Sequence, residues 1–282
     1  MRDISVGDAD RLEPLRATSG TSLEGFAGAS VEVLFGGDER LRLYRYGTVA
    51  STNRTLWALL DAGESLPAAV VATAQTAGRG QRGRTWHSHP GGLYLSVAIA
   101  PQLPLRERFM LTASSAWGIA SALRDLGIPA TIKWPNDLVL DGRKLGGILC
   151  ETRVRTDTIA VAVIGVGVNW CNPTPATGID LSSYLAGCGS RAVASLDDLT
   201  HLTGAGVLAG WARYSEVGLE IALADYTQLC SSLGRSTVVD GRIGKVVGVM
   251  PTGELRIQYG DGTSHCLKEV RRSPGTIGLG YD

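Results

Sequence analysis

The sequence lacks an excess of charge of either sign. Lysine plus arginine and aspartate plus glutamate each number 27, so the formal net charge of the 282 residues is zero. A chain without a global basic field is poorly suited to nonspecific binding of nucleic acid or of an anionic membrane surface. Any electrostatic function must therefore depend on local clusters of charge.

Long apolar runs and paired cysteines are also lacking. The longest apolar run, 159–168, is about half of the roughly 20 residues that a membrane-spanning helix needs. The opening residues are acidic, whereas a signal peptide begins basic and continues apolar. The five cysteines are widely spaced and form no CxxC pair that would begin a zinc or redox site. These absences predict a cytoplasmic protein with no membrane segment.

Glycine, in contrast, is abundant. The 37 glycines are nearly twice the usual share of about 7%, and they follow no Gly-X-Y period. Glycine allows tight turns and close approach of the backbone to another group. The composition therefore favours a globular protein in which loops wrap around a ligand.

The apolar pattern divides the chain into three parts. Residues 1–39 are rich in Gly, Ser, Asp and Glu and contain one strand-like run, VEVLF at 31–35. Residues 40–232 mix strand-like runs with helical patterns. Residues 233–282 carry short alternating strands separated by turn residues, with PTGE and GDGT as hairpin turns. This last pattern predicts a small β-barrel at the C-terminal side.

The central part reads as an α+β domain. A helix follows STN at 51–53 and ends at Gly63, and longer helical patterns cover 109–127 and 196–229. The apolar runs between these helices predict strands, and the runs that contain KLGGIL and GVGVN predict neighbouring antiparallel strands. The expected fold is a central mixed or antiparallel sheet with flanking helices.

The segment GRGQRGR, at 78–84, lies between two predicted strands. Its three glycines and three arginines make a flexible basic loop that is suited to closing over an anion. Two other interpretations remain open, a solvated hairpin loop and an Arg-Gly segment that contacts nucleic acid. Trp86 follows directly and could stack on a base, although a tryptophan beside a strand is more often part of the core.

A second segment places two lysines near a carboxylate. KWPND at 133–137 and KLGGIL at 144–149 supply cations for phosphates, and Asp137 can contact Mg²⁺ or take a proton from an amine. The alternative is a surface turn with paired charges. Gly146 and Gly147 argue against that alternative, because glycine weakens a strand unless another group must approach its backbone.

A third segment, GVGVN at 165–169, ends an apolar strand. It lacks the GxGxxG spacing of a dinucleotide site, and no helical pattern follows it. Gly167 within the strand predicts close approach of a ligand. Asn169 can offer an amide edge to a heterocycle.

These segments together resemble a known family. STN, QTAGRGQRGR, KWPND, KLGGIL and GVGVN occur in the order and approximate spacing of the biotin protein ligases. The resemblance covers roughly residues 41–230, and the C-terminal strands are similar to the small SH3-like barrel of that family. It implies three regions: an N-terminal extension at 1–39, a catalytic biotin- and ATP-binding domain at 40–232, and an SH3-like β-barrel domain at 233–282.

The resemblance also implies an activity. Enzymes of this family use ATP and Mg²⁺ to activate biotin as biotinyl-5′-AMP, and then transfer biotin to one lysine of a biotin carboxyl carrier protein of acetyl-CoA carboxylase. The biotin carboxylate itself attacks the α-phosphate, so no enzyme nucleophile is needed. Two alternatives are a lipoate-type protein ligase, which shares the chemistry, and a non-enzymatic biotin-sensing regulator.

The implied site residues follow from the motif matches. Biotin-binding residues are Ser51, Thr52, Asn53, Gln75, Gly78, Arg79, Lys144, Gly147, Leu149, Gly165 and Gly167. Residues for ATP or the adenylate are Arg79, Gln81, Arg82, Arg84, Trp86, Asn136, Lys144 and Asn169. The implied catalytic residues are Lys144, Arg79, Asp137 and Lys133, and the choice between a base and a Mg²⁺ contact for Asp137 stays open.

The sequence departs from the family pattern at two places. Gln81 stands where the family loop commonly has arginine, which removes a charge from the loop. Residues 1–39 contain no pair of helical patterns, so they predict no winged helix-turn-helix of the kind found in repressor-type members. We therefore expect no DNA partner, and the short apolar runs and zero net charge predict no membrane partner. The resemblance implies a monomer or weak homodimer.

Overall fold

A computed structural model describes residues 16–18, 30–36, 39–259, 268–274 and 279–281. The helices in these residues are α1 (Thr52–Asp61), α2 (Phe109–Asp125), α3 (Leu181–Gly187) and α4 (Leu196–Gln228). The strands are β1 (Arg16–Thr18), β2 (Ser30–Gly36), β3 (Glu39–Val49), β4 (Ala68–Gln75), β5 (Gly92–Ile99), β6 (Leu103–Pro104), β7 (Thr131–Lys133), β8 (Asp137–Leu140), β9 (Arg143–Arg155), β10 (Thr158–Asn169), β11 (Ser236–Val239), β12 (Arg242–Val249), β13 (Leu255–Tyr259) and β14 (Lys268–Arg272). None of the helices in the described ranges is long and apolar enough to cross a membrane.

The described strands β1 to β10 form one mixed sheet, as predicted. Its order is β1-β2-β3-β4-β5-β10-β9-β8-β7, with β6 paired to β10. Strands β3 and β4 are parallel and are joined by α1, whereas β9 and β10 pair antiparallel, as the sequence indicates. Strand β2 pairs with β3 along its length. The expected boundary at residue 39 therefore falls inside a hairpin of the main sheet.

Helices cover both faces of this sheet. The larger core lies between the sheet and the helices α2 and α4, and it includes Met110 and Leu123 of α2. A smaller core lies between the opposite face and α1, through Leu56 and Leu59. The sheet is thus buried on both faces where these helices pack, so the strand ends there form a stable floor for a site.

The strands β11 to β14 form a separate small antiparallel sheet in the order of the sequence. The predicted PTGE turn joins β12 to β13, and Gly253 has the positive φ of 87° that such a turn requires. The indole of Trp134 donates a hydrogen bond of 2.9 Å to the Gly253 carbonyl, which ties this turn to the main domain. The GDGT segment at 260–263 lies outside the described residues, and closure of the small sheet into a barrel stays a prediction.

Candidate active site

A cavity of about 310 Å³ opens where α1, β4, the KWPND turn, β9 and β10 meet the GRGQRGR loop. Seventeen of the residues predicted for the site line this cavity. They are Ser51, Thr52, Asn53, Gln75, Arg79, Gln81, Arg82, Arg84, Trp86, Lys133, Asn136, Asp137, Lys144, Gly147, Leu149, Gly165 and Gly167. Segments that are far apart in the chain, such as 51–53, 144–149 and 165–167, therefore meet at one place.

One end of the cavity holds uncharged polar side chains, and we call Ser51, Thr52, Asn53 and Gln75 the uncharged end. Gln75 Oε1 accepts a hydrogen bond of 2.9 Å from the Thr52 backbone N–H, and Gln75 Nε2 donates one of 2.8 Å to Ser88 Oγ. The amide of Gln75 thus has a fixed orientation. Because the side chain bridges β4 and the start of α1, the sheet and the helix together position this end.

Ser96 connects the members of the uncharged end. Its hydroxyl is fully buried in β5 and lies 2.7 Å from Asn53 Oδ1 and 2.8 Å from Thr52 Oγ1. The Asn53 oxygen can only accept, so the single Ser96 proton goes to Asn53 and the Thr52 hydroxyl donates to Ser96 or to Gln75. Asn53 Nδ2 then donates to the Leu149 carbonyl at 3.4 Å. Thr52, Asn53 and Gln75 are therefore oriented before any ligand binds.

Ser51 differs from the other members of the uncharged end. It occupies the N-cap position of α1, as predicted, but its side chain makes no capping hydrogen bond. It is 7% exposed, and it makes no side-chain hydrogen bond among the described residues. A hydroxyl that lines a cavity without a protein partner is available to a ligand.

Other groups do approach the strand glycines Gly165 and Gly167 closely, as predicted, but these groups are protein side chains. A Cβ on Gly165 would collide with the Asn53 amide, and a Cβ on Gly167 would lie 2.6 Å from the Trp86 indole. Trp86 Nε1 is buried and has no hydrogen-bond partner in the described residues. The glycines thus make room for two cavity-lining side chains, which corrects the expectation that a ligand alone requires them.

The other end of the cavity is positively charged, and we call Arg79, Arg82, Arg84, Lys133 and Lys144 the cationic end. Asp137 is the single carboxylate among the cavity residues that the structure describes. Lys144 Nζ lies 2.6 Å from Asp137 Oδ1, and its side chain is 29% exposed. A cluster of this sign and geometry attracts an anion such as a phosphate.

Lys133 is the most buried cation of this end, at 9% exposure. Burial lowers the pKa of its ammonium group, and the nearby charges of Lys144, Arg235 and Arg84 act in the same direction, while Asp137 opposes them. Its Nζ lies 3.5 Å from the centre of the Tyr281 ring. Lys133 is thus a cation held where its charge is unfavourable unless an anion binds.

The three arginines lie on the loop between β4 and β5. Backbone hydrogen bonds from Gly80 N to the Arg84 carbonyl, at 2.7 Å, and from Trp86 N to the Gly78 carbonyl, at 3.0 Å, give the loop a defined shape. Arg79, Arg82 and Arg84 are exposed, and in the described residues their guanidinium groups make no ion pair. The loop therefore presents its charges to the cavity without neutralising them.

Two predicted residues, Gly78 and Asn169, lie behind the cavity wall. A Cβ on Gly78 would collide with the Trp86 carbonyl and Ser88. Asn169 Nδ2 donates to the Lys144 carbonyl at 3.3 Å and to the Ile179 carbonyl at 3.2 Å. Asn169 thus supports the backbone that carries Lys144, and the structure does not place it as an adenine contact.

A resident metal centre is not formed by the described residues, in which no three His, Cys, Asp or Glu side chains cluster. Magnesium that arrives with a nucleotide needs fewer protein ligands, because one or two carboxylates together with the phosphates commonly bind it. Asp137, which lies beside Lys144 of the cationic end, fits that requirement.

The comparisons with known proteins agree with this geometry. Residues 46–169 match the model of the biotin/lipoate A/B protein ligase family. This chain is similar to the solved structure of the biotin protein ligase from Aquifex aeolicus in complex with biotin and ATP. The similarity covers 81% of this chain and 94% of that chain, at 25% sequence identity and a TM-score of 0.61.

Two curated relatives resemble part of the chain at higher identity. The bifunctional ligase/repressor BirA of Bacillus subtilis is 36% identical over 129 residues, which are 45% of this chain and 40% of that protein. The biotin–[acetyl-CoA-carboxylase] ligase of Paracoccus denitrificans is 36% identical over 113 residues, which are 39% of this chain and 47% of that protein. The chain spans less than half the length of these curated relatives.

Several residues in or beside the cavity were missed by sequence reasoning, and four of them matter for the arrangement described above. Ser96 and Ser88 orient the uncharged end, Leu279 lines the cavity, and the Tyr281 hydroxyl donates a hydrogen bond to Asp137 Oδ2. A serine inside the apolar run LYLSVAIA was a usable signal, because a buried hydroxyl needs a partner. Nothing local in the sequence connects Tyr281 to a residue 144 positions away.

Proposed function

We propose that the protein is an ATP-dependent ligase that activates biotin as biotinyl-5′-AMP and transfers biotin to a lysine of a biotin carboxyl carrier protein. The observation that supports this most is the joining of the uncharged and cationic ends in one cavity. Hydroxyls and amides suit the flat, neutral ureido ring of biotin, and the cations suit a carboxylate that meets a phosphate. The names of the relatives support the same activity.

In the first step, the biotin carboxylate attacks the α-phosphate of ATP. A bond forms between the carboxylate oxygen and phosphorus, the bond to the bridging oxygen breaks, and pyrophosphate leaves. Two anions meet in this step, so Lys144 and Arg79 stabilise the charge that develops at the α-phosphate. Lys133, Arg82 and Arg84 bind the remaining phosphates. The uncharged end holds the biotin ring and thereby fixes the distance of the carboxylate from phosphorus.

In the second step, the amine of the acceptor lysine attacks the acyl carbon of the adenylate. An amide bond forms, the bond to AMP breaks, and the amine loses a proton. Asp137 is the carboxylate in the cavity that can orient this amine or accept its proton. Asp137 is also the residue that would hold a magnesium ion that accompanies ATP, and the ion would neutralise phosphate charge.

A lipoate-type ligase is the nearest alternative, because the matched family includes both activities. The uncharged end favours biotin, since lipoate has an apolar dithiolane ring with no group to pair with Ser51 or Asn53. Ligand preference is therefore part of the test.

The test is transfer of label. The full chain is incubated with radiolabelled biotin, ATP, Mg²⁺ and a biotin carboxyl carrier domain, and protein-bound label is measured after denaturation. We expect label on the carrier that depends on ATP and disappears when the acceptor lysine is replaced by arginine. Absence of transfer, or equal transfer of labelled lipoate to a lipoyl domain, would contradict the proposal.

A further inference from the structure

The segment 279–281 lies at the cationic end of the cavity. Leu279 is 8% exposed and lines the cavity. The Gly280 carbonyl accepts a hydrogen bond of 3.2 Å from Arg235 Nη1. Tyr281 then places its hydroxyl on Asp137 and its ring on Lys133. Three consecutive residues thus make separate contacts that fix the segment beside the proposed catalytic groups.

The hydroxyl of Tyr281 donates a hydrogen bond to the second carboxylate oxygen of Asp137. Asp137 Oδ1 pairs with Lys144 Nζ at 2.6 Å, and Asp137 Oδ2 accepts the Tyr281 hydrogen bond. Burial and the adjacent Asp137 charge raise the pKa of Tyr281, so the phenol stays protonated and remains a donor. A carboxylate has a broad two-fold rotation about its last torsion, and two different donors remove that freedom.

The orientation of Asp137 affects the charge that Lys144 offers. A carboxylate that turned both oxygens to the ammonium group would neutralise the cation that must face the α-phosphate. With Oδ2 held by Tyr281, a single oxygen faces Lys144. The Tyr281 ring also covers Lys133, which is across the β7–β8 pair from Asp137. One tyrosine thereby touches two of the charged groups and acts on the third through Asp137.

We propose that Tyr281 is a positioning residue for adenylate formation, which holds Asp137 away from full neutralisation of Lys144 and shields Lys133 from water. This role rests on the proposed function. It assigns a part in the first chemical step to a residue outside the matched segment 46–169.

The main test compares Tyr281→Phe with wild type in biotin-dependent release of pyrophosphate from ATP. The substitution keeps the ring over Lys133 and removes the hydroxyl. We expect kcat to fall about tenfold, as for other residues that orient a catalytic group, with the KM for biotin unchanged. Tyr214→Phe is the matched control, because its hydroxyl donates to the Glu107 carboxylate at 2.6 Å outside the cavity lining, and its kcat should equal that of wild type.

A second variant, Tyr281→Ala, removes the ring as well. We expect a further loss of kcat, a raised KM for ATP, and faster labelling of Lys133 by an amine-reactive acetylating reagent, read by mass spectrometry. Tyr281→Phe should keep the slow labelling of wild type. The labelling of Lys133 does not depend on any enzymatic activity. If the hydroxyl of Tyr281 had only a structural role, Tyr281→Phe would not lower kcat while leaving the KM for biotin unchanged.

The outcomes separate the two proposals. If wild type forms biotinyl-AMP and Tyr281→Phe has the same or a higher kcat, the positioning role is wrong and the proposed function stands. Fast labelling of Lys133 in wild type would also overturn the role, because the ring would not cover it. If wild type forms no biotinyl-AMP, the proposed function fails and this role fails with it.

Discussion

The two ends of the cavity differ in how far protein partners orient their side chains. At the uncharged end, Thr52, Asn53 and Gln75 are oriented by protein partners, with Ser96 fully buried beneath them. At the cationic end, the loop arginines are exposed, and Lys133 is buried where its charge is unfavourable. The end proposed to recognise a neutral ring is thus preorganised, whereas the end proposed to meet phosphates has three loop arginines that make no ion pair within the described residues.

The difference between the two ends follows from the chemistry of the ligand groups that they are proposed to bind. A neutral ring offers weak, directional hydrogen bonds, so the recognising groups must be oriented in advance to avoid a loss of entropy on binding. Anions attract cations over longer distances and tolerate mobile side chains. Substitutions at the two ends should therefore have different effects, on affinity and stability at one end and on rate at the other.

The largest effect is expected for Lys144→Ala. Loss of a cation that faces the developing phosphate charge should cost about 3 kcal/mol, or roughly 100-fold in the rate of adenylate formation. The measurement is single-turnover formation of biotinyl-AMP, with thermal unfolding to confirm the fold. Lys245→Ala, an exposed lysine of the small sheet, is the control and should keep the full rate. A rate for Lys144→Ala within a few-fold of wild type would show that the lysine is not catalytic.

Ser96→Ala should affect the uncharged end because it removes the hydroxyl that is hydrogen-bonded to Thr52 and Asn53. The variant leaves Asn53 Oδ1 without its donor in a buried place, which should lower the free energy of unfolding by about 2 kcal/mol and weaken biotin binding. Denaturant unfolding and calorimetric titration with biotin measure the two effects. Ser114→Ala is the matched control, because Ser114 is buried and its hydroxyl has no partner, so its loss should cost little. Equal stability of the two variants would contradict the network.

A smaller effect is expected for Ser51→Ala. Since the Ser51 side chain makes no capping hydrogen bond, stability should change by only a few tenths of a kcal/mol, while biotin affinity falls by about 1 kcal/mol, or roughly fivefold. Ser195→Ala is the opposite case, because Ser195 caps α4 by accepting from Asp198 N at 3.0 Å. It should lose stability and keep biotin affinity. The reverse pattern would mean that Ser51 serves only the helix.

The smallest expected effect is a gain. Lys133→Met removes an ammonium group whose pKa is lowered by burial, so stability at neutral pH should rise by up to about 1 kcal/mol while adenylate formation falls. Between the folded-state pKa and the ordinary pKa, the unfolded chain binds more protons, so wild-type stability increases with pH there. The gain should therefore shrink as the pH approaches 10. Unfolding of both proteins at several pH values measures it, and a loss of stability at neutral pH would contradict the unfavourable burial.

Much of the fold could be predicted because its strands and long helices repeat apolar residues at clear periods. The short helix α3 could not, because seven residues are too few for a periodic signal, although Asp180 caps it through Ser183 N. The site was predicted where residues fall in short motifs. Ser96 and Tyr281 were missed, since their roles depend on partners 43 and 144 positions away. The close packing of Trp86 on Gly167 depends on the same kind of long-range contact.

The most direct measurement is the exchange of labelled pyrophosphate into ATP by the wild-type protein, with and without biotin. A cavity that joins a biotin site to a phosphate site should catalyse exchange that saturates with biotin and is close to background without it or with lipoate in its place. Exchange that proceeds equally without biotin, or no exchange at saturating biotin, ATP and Mg²⁺, would contradict the joint use of the two ends.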